Sequence, residues 1–512
     1  MKIKDYKKSE LWRISYVILM LFAFFFGSCD DGREIGIVPG SGGAPFNSAL
    51  PIRINSIYPN EGSAGQRVLI EGENFGNDPS KIEVYIGGKK APVVNVKDNC
   101  MYCLVPSKAF NGDLKVQVKD EENTYISEET DIKFDYHRLK IVSTMLGKKD
   151  QYGKFEVKDG PFDDCGGLRN TCWMAWDPDP EYSDLLYLSE DADGDDGGDG
   201  KIRCIDFKTK RLYTMLNAGD IGSGGRRPRS IGFFTDKNGK THMCVAIDQG
   251  NADDNAITIF ERIPDETKPC GFKWGNRKIL ARYKQCNTVA FHPKTGDMYF
   301  NSYEHGQFFE VKKEVIQDIL DGKRDAAKPG DGVKSLFTIQ DDGWECYFTM
   351  HPEGLYCIVT IVNKNYMVRS DYNGETFTSP YVVLGQPQAA NEYKDGVGTR
   401  ARVYSPQQGV FVKNKEYAEK EDEYDYYFCD KHNHAVRILA PSGKVSTYAG
   451  RGSASLNSNP WGNVNGDLRE EARFERPKGL AYDSKNDVFY VGDSMNRSIR
   501  RIGMEEIEDT NE

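Results

Sequence analysis

RPKGLAYDSKNDVFYVGDSMNRSIRRI, residues 476–502, decides the fold. GLAYD and VFYVGD flank the polar turn DSKND, and SMN separates the second strand from a third, SIRRI. β-Branched and aromatic residues fill the strands, and Asp, Ser, Asn and Gly fill the junctions, as strand and turn chemistry require.

Five further units align upstream by their hydrophobic strands. They begin at Cys172 (CWMAWDPDPEYSDLLYLSED), Ser230 (SIGFFTDKNGKTHMCVAIDQ), Thr288 (TVAFHPKTGDMYFNSYEHGQFFEV), Cys346 (CYFTMHPEGLYCIVTIVNKNYMVRS) and Gly409 (GVFVKNKEYAEKEDEYDYYFCDKHNHAVRIL). GTRARVYSPQQGVFV and REEARFERPKGLAY lead into successive units in the same way. One such unit cannot bury both faces of its sheet, so neighbours must stack, and six four-stranded units around an axis form a propeller. Unit six lacks a fourth strand after Ile502. LKIVSTMLG (139–147), which precedes unit one, matches the fourth strand KVSTYAG of unit five. Residues 139–146 are therefore expected to complete the last sheet and remove a free edge. The three-strand cores of units five and six resemble NHL repeats, and units one to four resemble them more weakly.

Residues 52–136 hold shorter strands at even spacing: RVLIEGENFG, KIEVYIGG and LKVQVKD each alternate. Alternation leaves one buried face per strand and predicts a two-sheet sandwich. The run INSIYPNEGSAGQRVLIEGENFG (54–76), with Val105-Pro106 and GDLKVQV after it, resembles an IPT/TIG domain. That resemblance implies an immunoglobulin-like fold and a spacer or docking role, with no chemistry of its own.

The N-terminus has targeting character. Lys2, Lys4, Lys7, Lys8 and Arg13 precede the apolar run YVILMLFAFFF, whose 11 residues are short for a membrane span. Gly27 and Ser28 then lead to Cys29. The pattern resembles a bacterial lipoprotein signal peptide, which implies that Cys29 is lipidated. Asp30 and Asp31 resemble the surface-export signal of Bacteroidetes lipoproteins, which implies an outer-membrane anchor facing the cell exterior. The expected division is a signal peptide over 1–28, a lipidated flexible tether over 29–51, the IPT/TIG domain over 52–136, a six-bladed propeller over 139–503 and an acidic tail over 504–512. The Gly- and Pro-rich stretch 32–50 spans roughly 25 Å root-mean-square as a free coil.

The fold class is all-β, and mean hydropathy is −0.62. Removing residues 1–28, with five basic and two acidic side chains, takes the formal charge from −11 to −14. An acidic surface gives no electrostatic reason to bind nucleic acid. The 12 cysteines fall mostly inside strand patterns, where the thiol behaves as a small apolar group. Cys165 and Cys172 flank a short loop and are candidates to pair. Cys100 and Cys103 have no second CxxC, which argues against zinc.

Connections into the first strand and between the second and third strands emerge on one face of a propeller. That face collects the insertions, and binding residues concentrate on loops of a rigid scaffold. Trp344 and Trp461 sit in such loops and offer flat platforms for sugar C–H faces. Arg226, Arg227 and Arg229 share one loop and suit carboxylate or sulfate groups, or the acidic loop nearby. That acidic loop, Asp191 to Asp199, begins like a calcium loop. It has Ile202 at the twelfth position, where an EF-hand needs Glu, so a looser calcium site is the one cofactor left open.

Asp430, Asp493, His432, His434 and Asn496 fall at the repeat turn and read as structural. His137, His242, His292, His305 and His351 form no three-histidine set. The architecture resembles surface glycan-binding proteins of Bacteroidetes polysaccharide-utilisation systems. It implies an extracellular glycan ligand, an outer-membrane importer partner, no catalysis and no nucleic acid. Two alternatives stand beside it: a glycan- or lactone-cleaving propeller with a central metal, drawing on Asp248, Asp430 and Asp493, and a protein-docking propeller.

Overall fold

The computed structural model describes residues 43–191, 199–222, 227–263, 271–272, 275, 277–339, 345–387, 389–452 and 459–506. It divides into two compact units, one ending at Arg138 and the other covering Leu139–Glu505.

The first unit is a sandwich. One sheet holds Arg53–Tyr58, Arg67–Glu73, Cys100–Leu104 and Val93–Lys97; the other holds Glu61–Gly62, Tyr125–Tyr136, Gly112–Lys119, Ile82–Ile86 and Lys89–Ala91. Burial alternates along Arg67–Glu73 and Gly112–Lys119, and the inward side chains (Val68, Ile70, Leu114, Val116) form one core with Phe75 and Phe134. Part of the expected flexible tether is docked. Asn74, held left-handed at φ 61 in the ENFG turn, donates through Nδ2 to the carbonyls of Asn47 and Leu50, and its Oδ1 accepts from the Asn47 amide.

The second unit contains six successive antiparallel sheets among the described residues, the arrangement of a β-propeller. Their first strands are Asn170–Trp176, Pro228–Thr235, Cys286–Phe291, Cys346–Met350, Pro406–Lys413 and Pro477–Asp483. Each touches the next, and that of sheet six touches that of sheet one. Lys140–Leu146 pairs antiparallel with Ser498–Met504 as the fourth strand of sheet six.

Side chains explain why this distant strand fits. In sheets one, five and six a fully buried arginine on the third strand (Arg203, Arg437, Arg500) joins three segments. It reaches back to an acid at the end of the second strand: Arg437 Nη1 is 2.7 Å from Asp430 Oδ2, Arg500 Nη1 is 3.0 Å from Asp493 Oδ2, and Arg203 Nη1 is 3.4 Å from Glu190 Oε1. It reaches forward to the segment leading into the sheet, at Asp395, Asn465 or Asp159. A fourth-strand threonine then donates to that same residue: Thr447 to Asp395, Thr214 to Asp159 and Thr144 to Asn465. Thr144 lies on the N-terminal strand. The strand from the far end of the unit thus supplies the same hydroxyl as its counterparts in sheets one and five.

Glycine marks the same equivalence. Gly147, Gly385 and Gly450 end fourth strands at φ +86, +75 and +89. A Cβ on each would lie 2.4, 2.5 and 2.5 Å from the carbonyl oxygens of Arg497, Asn365 and His434, the left-handed residues that precede the third strands. No side chain fits there, and the left-handed backbone itself favours glycine.

Cys165 and Cys172, the candidate disulfide, are both buried free thiols. Cys165 packs in an apolar cluster with Leu168 and Met174, whereas Cys172 lies among charged groups.

Two outcomes follow for stability. Arg500→Met leaves the buried Asp493 carboxyl without its cation and is expected to cost about 3–5 kcal/mol in urea unfolding, most of it recovered in Arg500→Met/Asp493→Leu. Gly147→Val should lose at least about 1 kcal/mol, as Gly450→Val should; an unchanged midpoint for Gly147→Val would contradict the placement of the N-terminal strand.

Candidate functional site

The first strands carry a repeated irregularity with a direct effect on the axis. In sheets one, two, three and six a β-bulge places one extra residue opposite the second strand: Cys172, Arg229, Asn287 and Lys478. In sheet five two residues, Gln407 and Gln408, oppose Cys429. A bulge re-aims its side chain out of the alternating pattern. All six of these side chains are buried. Gln408 crosses to neighbouring sheets: its Oε1 accepts from the amides of Met174 and Leu480, and its Nε2 donates to the Met174 carbonyl.

Charges gather on the strand-start side of this level. Arg229, 1 % exposed, pairs with three carboxylates: Asp191 at 2.5 Å, Asp248 at 3.1 Å and Glu345 at 3.1 Å. Arg227 adds contacts to Asp248 at 3.2 Å and Asp191 at 3.6 Å. Tyr303 donates to Asp248 Oδ1. Burial alone would raise Glu345, but Arg229, Lys478, Lys431 and Arg227 together hold its carboxyl down at about 2. Burial pushes the Cys172 thiol up to about 11, so it stays protonated and unreactive. Lys431 is pulled down to about 8, first by burial and then by the charge of Lys478. For Lys478 burial works against the charge, and Cys172, Glu345 and Asp191 more than offset it.

A cavity of about 520 Å³ opens on the same side, lined by Tyr393, Tyr404, His432, His434, Pro460 and Trp461 among others. Trp461 is 46 % exposed, with its ring centroid 5.7 Å from that of His434. The Tyr404 and His432 rings meet at a tilt, with centroids 4.5 Å apart. Burial, reinforced for His432 by Lys431 and Arg476, holds His432 near 3 and His434 near 4, so both imidazoles are neutral at physiological pH. Their nitrogens are engaged: His432 Nδ1 meets Ser405 Oγ at 3.0 Å, and His434 Nδ1 accepts from the Arg476 amide. The rings are thus fixed and neutral, and Glu392 and Lys394 add charged groups to the lining.

Of the residues singled out in the sequence, Trp461 lies in this cavity and Arg227 and Arg229 at the axial cluster. Arg229 is internal and committed to carboxylates, because a strand bulge turns it inward where a flexible loop was expected. Cys29, Arg226, Trp344 and residues 192–198 of the acidic loop lie outside the described residues. Asp191, the first acid of the calcium-like loop, is fully buried and bound to Arg229, which removes it from a solvent-facing ligand set. Asp430 and Asp493 belong to the repeat: each accepts from the asparagine of its turn, Asn433 or Asn496, and from its arginine. Burial pushes Asp493 up to about 6 against the pull of Arg500. Among the described residues one group with metal-ligand spacing occurs, Glu61, Asp135 and His137, all exposed and in the first unit.

Sequence reading missed Tyr393, Tyr404, Lys431 and Lys478, and set His432 and His434 aside as structural. The signal for Lys478 was present in RPKGLAY: a lysine at the start of an apolar first strand, where units one and four have cysteine. The signal for Lys431 was its place beside the two histidines of KHNH.

The comparisons fit this architecture. Residues 51–136 match the IPT/TIG domain family. NHL repeat-containing protein 2 of Bos taurus is 27 % identical over 180 residues, 35 % of this chain; the chain spans only 22 % of that protein's length. A Bacteroides thetaiotaomicron structure described as an auxiliary nutrient binding protein is 38 % identical, with a TM-score of 0.76, over 90 % of this chain and 100 % of its own. A second from that organism, provisionally designated a phosphatase, is 38 % identical at TM-score 0.75 over 91 % of this chain and 99 % of its own. With an IPT/TIG sandwich, an NHL-type propeller and matches that run the length of both folds, the chain belongs to the family of these Bacteroides proteins.

Proposed function

We propose that the protein is a surface lipoprotein that captures an extracellular oligo- or polysaccharide nutrient without cleaving it. The observation that carries this reading is the cavity of neutral, fixed aromatic rings around the exposed Trp461. Sugars present apolar C–H faces that stack on such rings, and rigid walls reduce the ordering cost of binding. The description of a 38 % identical relative as an auxiliary nutrient binding protein supports the same class of ligand. The leader-like N-terminus with Cys29, Asp30 and Asp31 supports anchoring to the outer membrane, and the IPT/TIG unit supports a spacer role. Under this reading the natural partner is a glycan importer in the same membrane, to which captured chains are passed.

The site's chemistry favours binding over turnover. Asp191, Asp248 and Glu345 are held by guanidinium groups, and the Cys172 thiol is far from ionising at neutral pH. A general base or nucleophile must be free to exchange a proton at the operating pH.

A glycan array with the mature chain tests the reading. Wild type is expected to bind one polysaccharide class, with no shortened product by chromatography. Trp461→Ala should lose roughly 1–3 kcal/mol of affinity, the order found when an aromatic ring that stacks on a nucleobase is removed. Release of sugar, or of phosphate from p-nitrophenyl phosphate, at enzyme-like rates would overturn the non-catalytic assignment.

A further inference from the structure

Among the described residues the charges at the axial cluster do not pair off evenly. The carboxylates described there are Asp191, Asp248 and Glu345, and Arg229 and Arg227 between them bind all three. Two lysines remain. Lys478, 2 % exposed, and Lys431, half-buried, have no ion pair with any described residue, though both lie within the field of Glu345. Charge is not buried cheaply without a partner, and unbalanced cations at a mouth lined by rigid strands form a site for an anion.

Neutral donors at the same level are unfilled as well, beside one unfilled acceptor, Gln407 Oε1. The Tyr347 hydroxyl is buried with no hydrogen-bond partner, and it lies close enough to Arg229 and Glu345 to feel their charges. Asn287, fully buried at its bulge, donates nothing from Nδ2, although its Oδ1 accepts from the Cys346 amide. Buried polar atoms are nearly always satisfied, so unpartnered donors at one level mark a place where another molecule completes the bonding. Lys431 connects this level to the aromatic cavity, because His432, Asn433 and His434, the next three residues, line that cavity.

We propose that Lys478, Lys431 and the Tyr347 hydroxyl form an oxyanion subsite that holds the carboxylate or sulfate of an acidic sugar whose ring stacks against Trp461. The inference rests on the glycan reading above and narrows its ligand to anionic polysaccharides. The lysines act as point charges, suited to either oxyanion.

Binding should depend on pH in one direction. An acidic sugar is already ionised above pH 5, so the titrating partner is Lys431, near 8. Around it, Glu345 near 2, His432 near 3, His434 near 4 and Cys172 near 11 each keep one state between pH 6 and 9, and Lys478 sits above the ordinary lysine value. Affinity should therefore hold below pH 8 and fall above it.

Calorimetry on the mature chain with three probes tests this: trigalacturonate, a sulfated galactose oligosaccharide carrying no carboxylate, and a neutral galactan oligosaccharide. At least one acidic probe is expected to bind ten-fold or more tightly than the neutral one, and the pair shows whether carboxylate or sulfate is preferred. Lys478→Met should weaken the acidic probe ten-fold or more and leave the neutral one unchanged. Lys431→Met, at a more exposed position, tests the subsite if Lys478→Met fails to fold, and Lys431→Arg should retain binding at pH 9. Equal affinity for neutral and acidic probes, or acidic binding that survives both lysine variants while Trp461→Ala abolishes it, would overturn the oxyanion subsite and leave the glycan reading standing. If no oligosaccharide binds, yet sodium sulfate raises the melting temperature of wild type and not of Lys478→Met, the glycan reading falls and the anion site stands. No response to sulfate or to any oligosaccharide would remove both.

Discussion

The buried guanidinium of the third strand is the interaction on which sheets one, five and six of the propeller depend. Arg203, Arg437 and Arg500 each bind an acid on the neighbouring second strand and a polar residue on the segment leading into their sheet. A buried arginine is destabilising unless its donors are filled, and here one fork meets two segments of different origin. The flat face is used as well: Arg437 lies 4.8 Å from the Tyr393 ring centroid and Arg500 5.4 Å from that of Phe474. Each sheet so built is tied to its own lead-in segment. Long loops can therefore enter on that face without loosening the strands.

The same device couples the scaffold to the cavity. Tyr393, which covers Arg437, is a wall of the aromatic cavity, and its hydroxyl meets Thr447 Oγ1 at 2.6 Å. Asn433, which binds Asp430, also donates to the Glu392 carbonyl next to Tyr393. The polar residues of the repeat turn thus hold the cavity wall and its rings in place. Structural and functional roles meet here in neighbouring residues, and His432 and His434 have both: their nitrogens fix the turn and their faces line the space.

How much of this was legible follows from periodicity. Strand alternation, the repeated lead-in segments and the match of LKIVSTMLG to KVSTYAG are local patterns, and they led to the sheets and to the N-terminal strand in sheet six. The bulges were not legible, because one extra residue in a first strand leaves composition and spacing nearly unchanged while turning a side chain from the sheet face to the axis. Arg229 shows the consequence. In sequence it reads as one of three loop arginines; a one-residue bulge buries it among three carboxylates. The docking of residues 47–51 escaped notice for a related reason. Gly- and Pro-rich composition reports flexibility, whereas the anchor is a single asparagine, Asn74, far along the chain in a left-handed turn.

The exchange of roles between arginine and lysine at the mouth has a physical logic. Arginine presents five donors in a rigid fork and is best used where several carboxylates converge, as they do around Arg229. With both Nη groups committed to carboxylates, this guanidinium is poorly placed to serve a ligand that comes and goes. Lysine carries its charge on one compact group with three rotatable donors. A pair of lysines, one of them depressed by burial and then by the other, as Lys431 is by Lys478, raises the local potential without fixing a bonding geometry. Glu345 then sets the limit. Held ionised by four cations, it offsets part of the repulsion between the lysines, yet it makes its short ion pair to Arg229 and none to Lys431 or Lys478. A mouth arranged in this way is stable without a ligand and still attractive to an anion, which is the condition a capture protein must meet if it is to bind and also release.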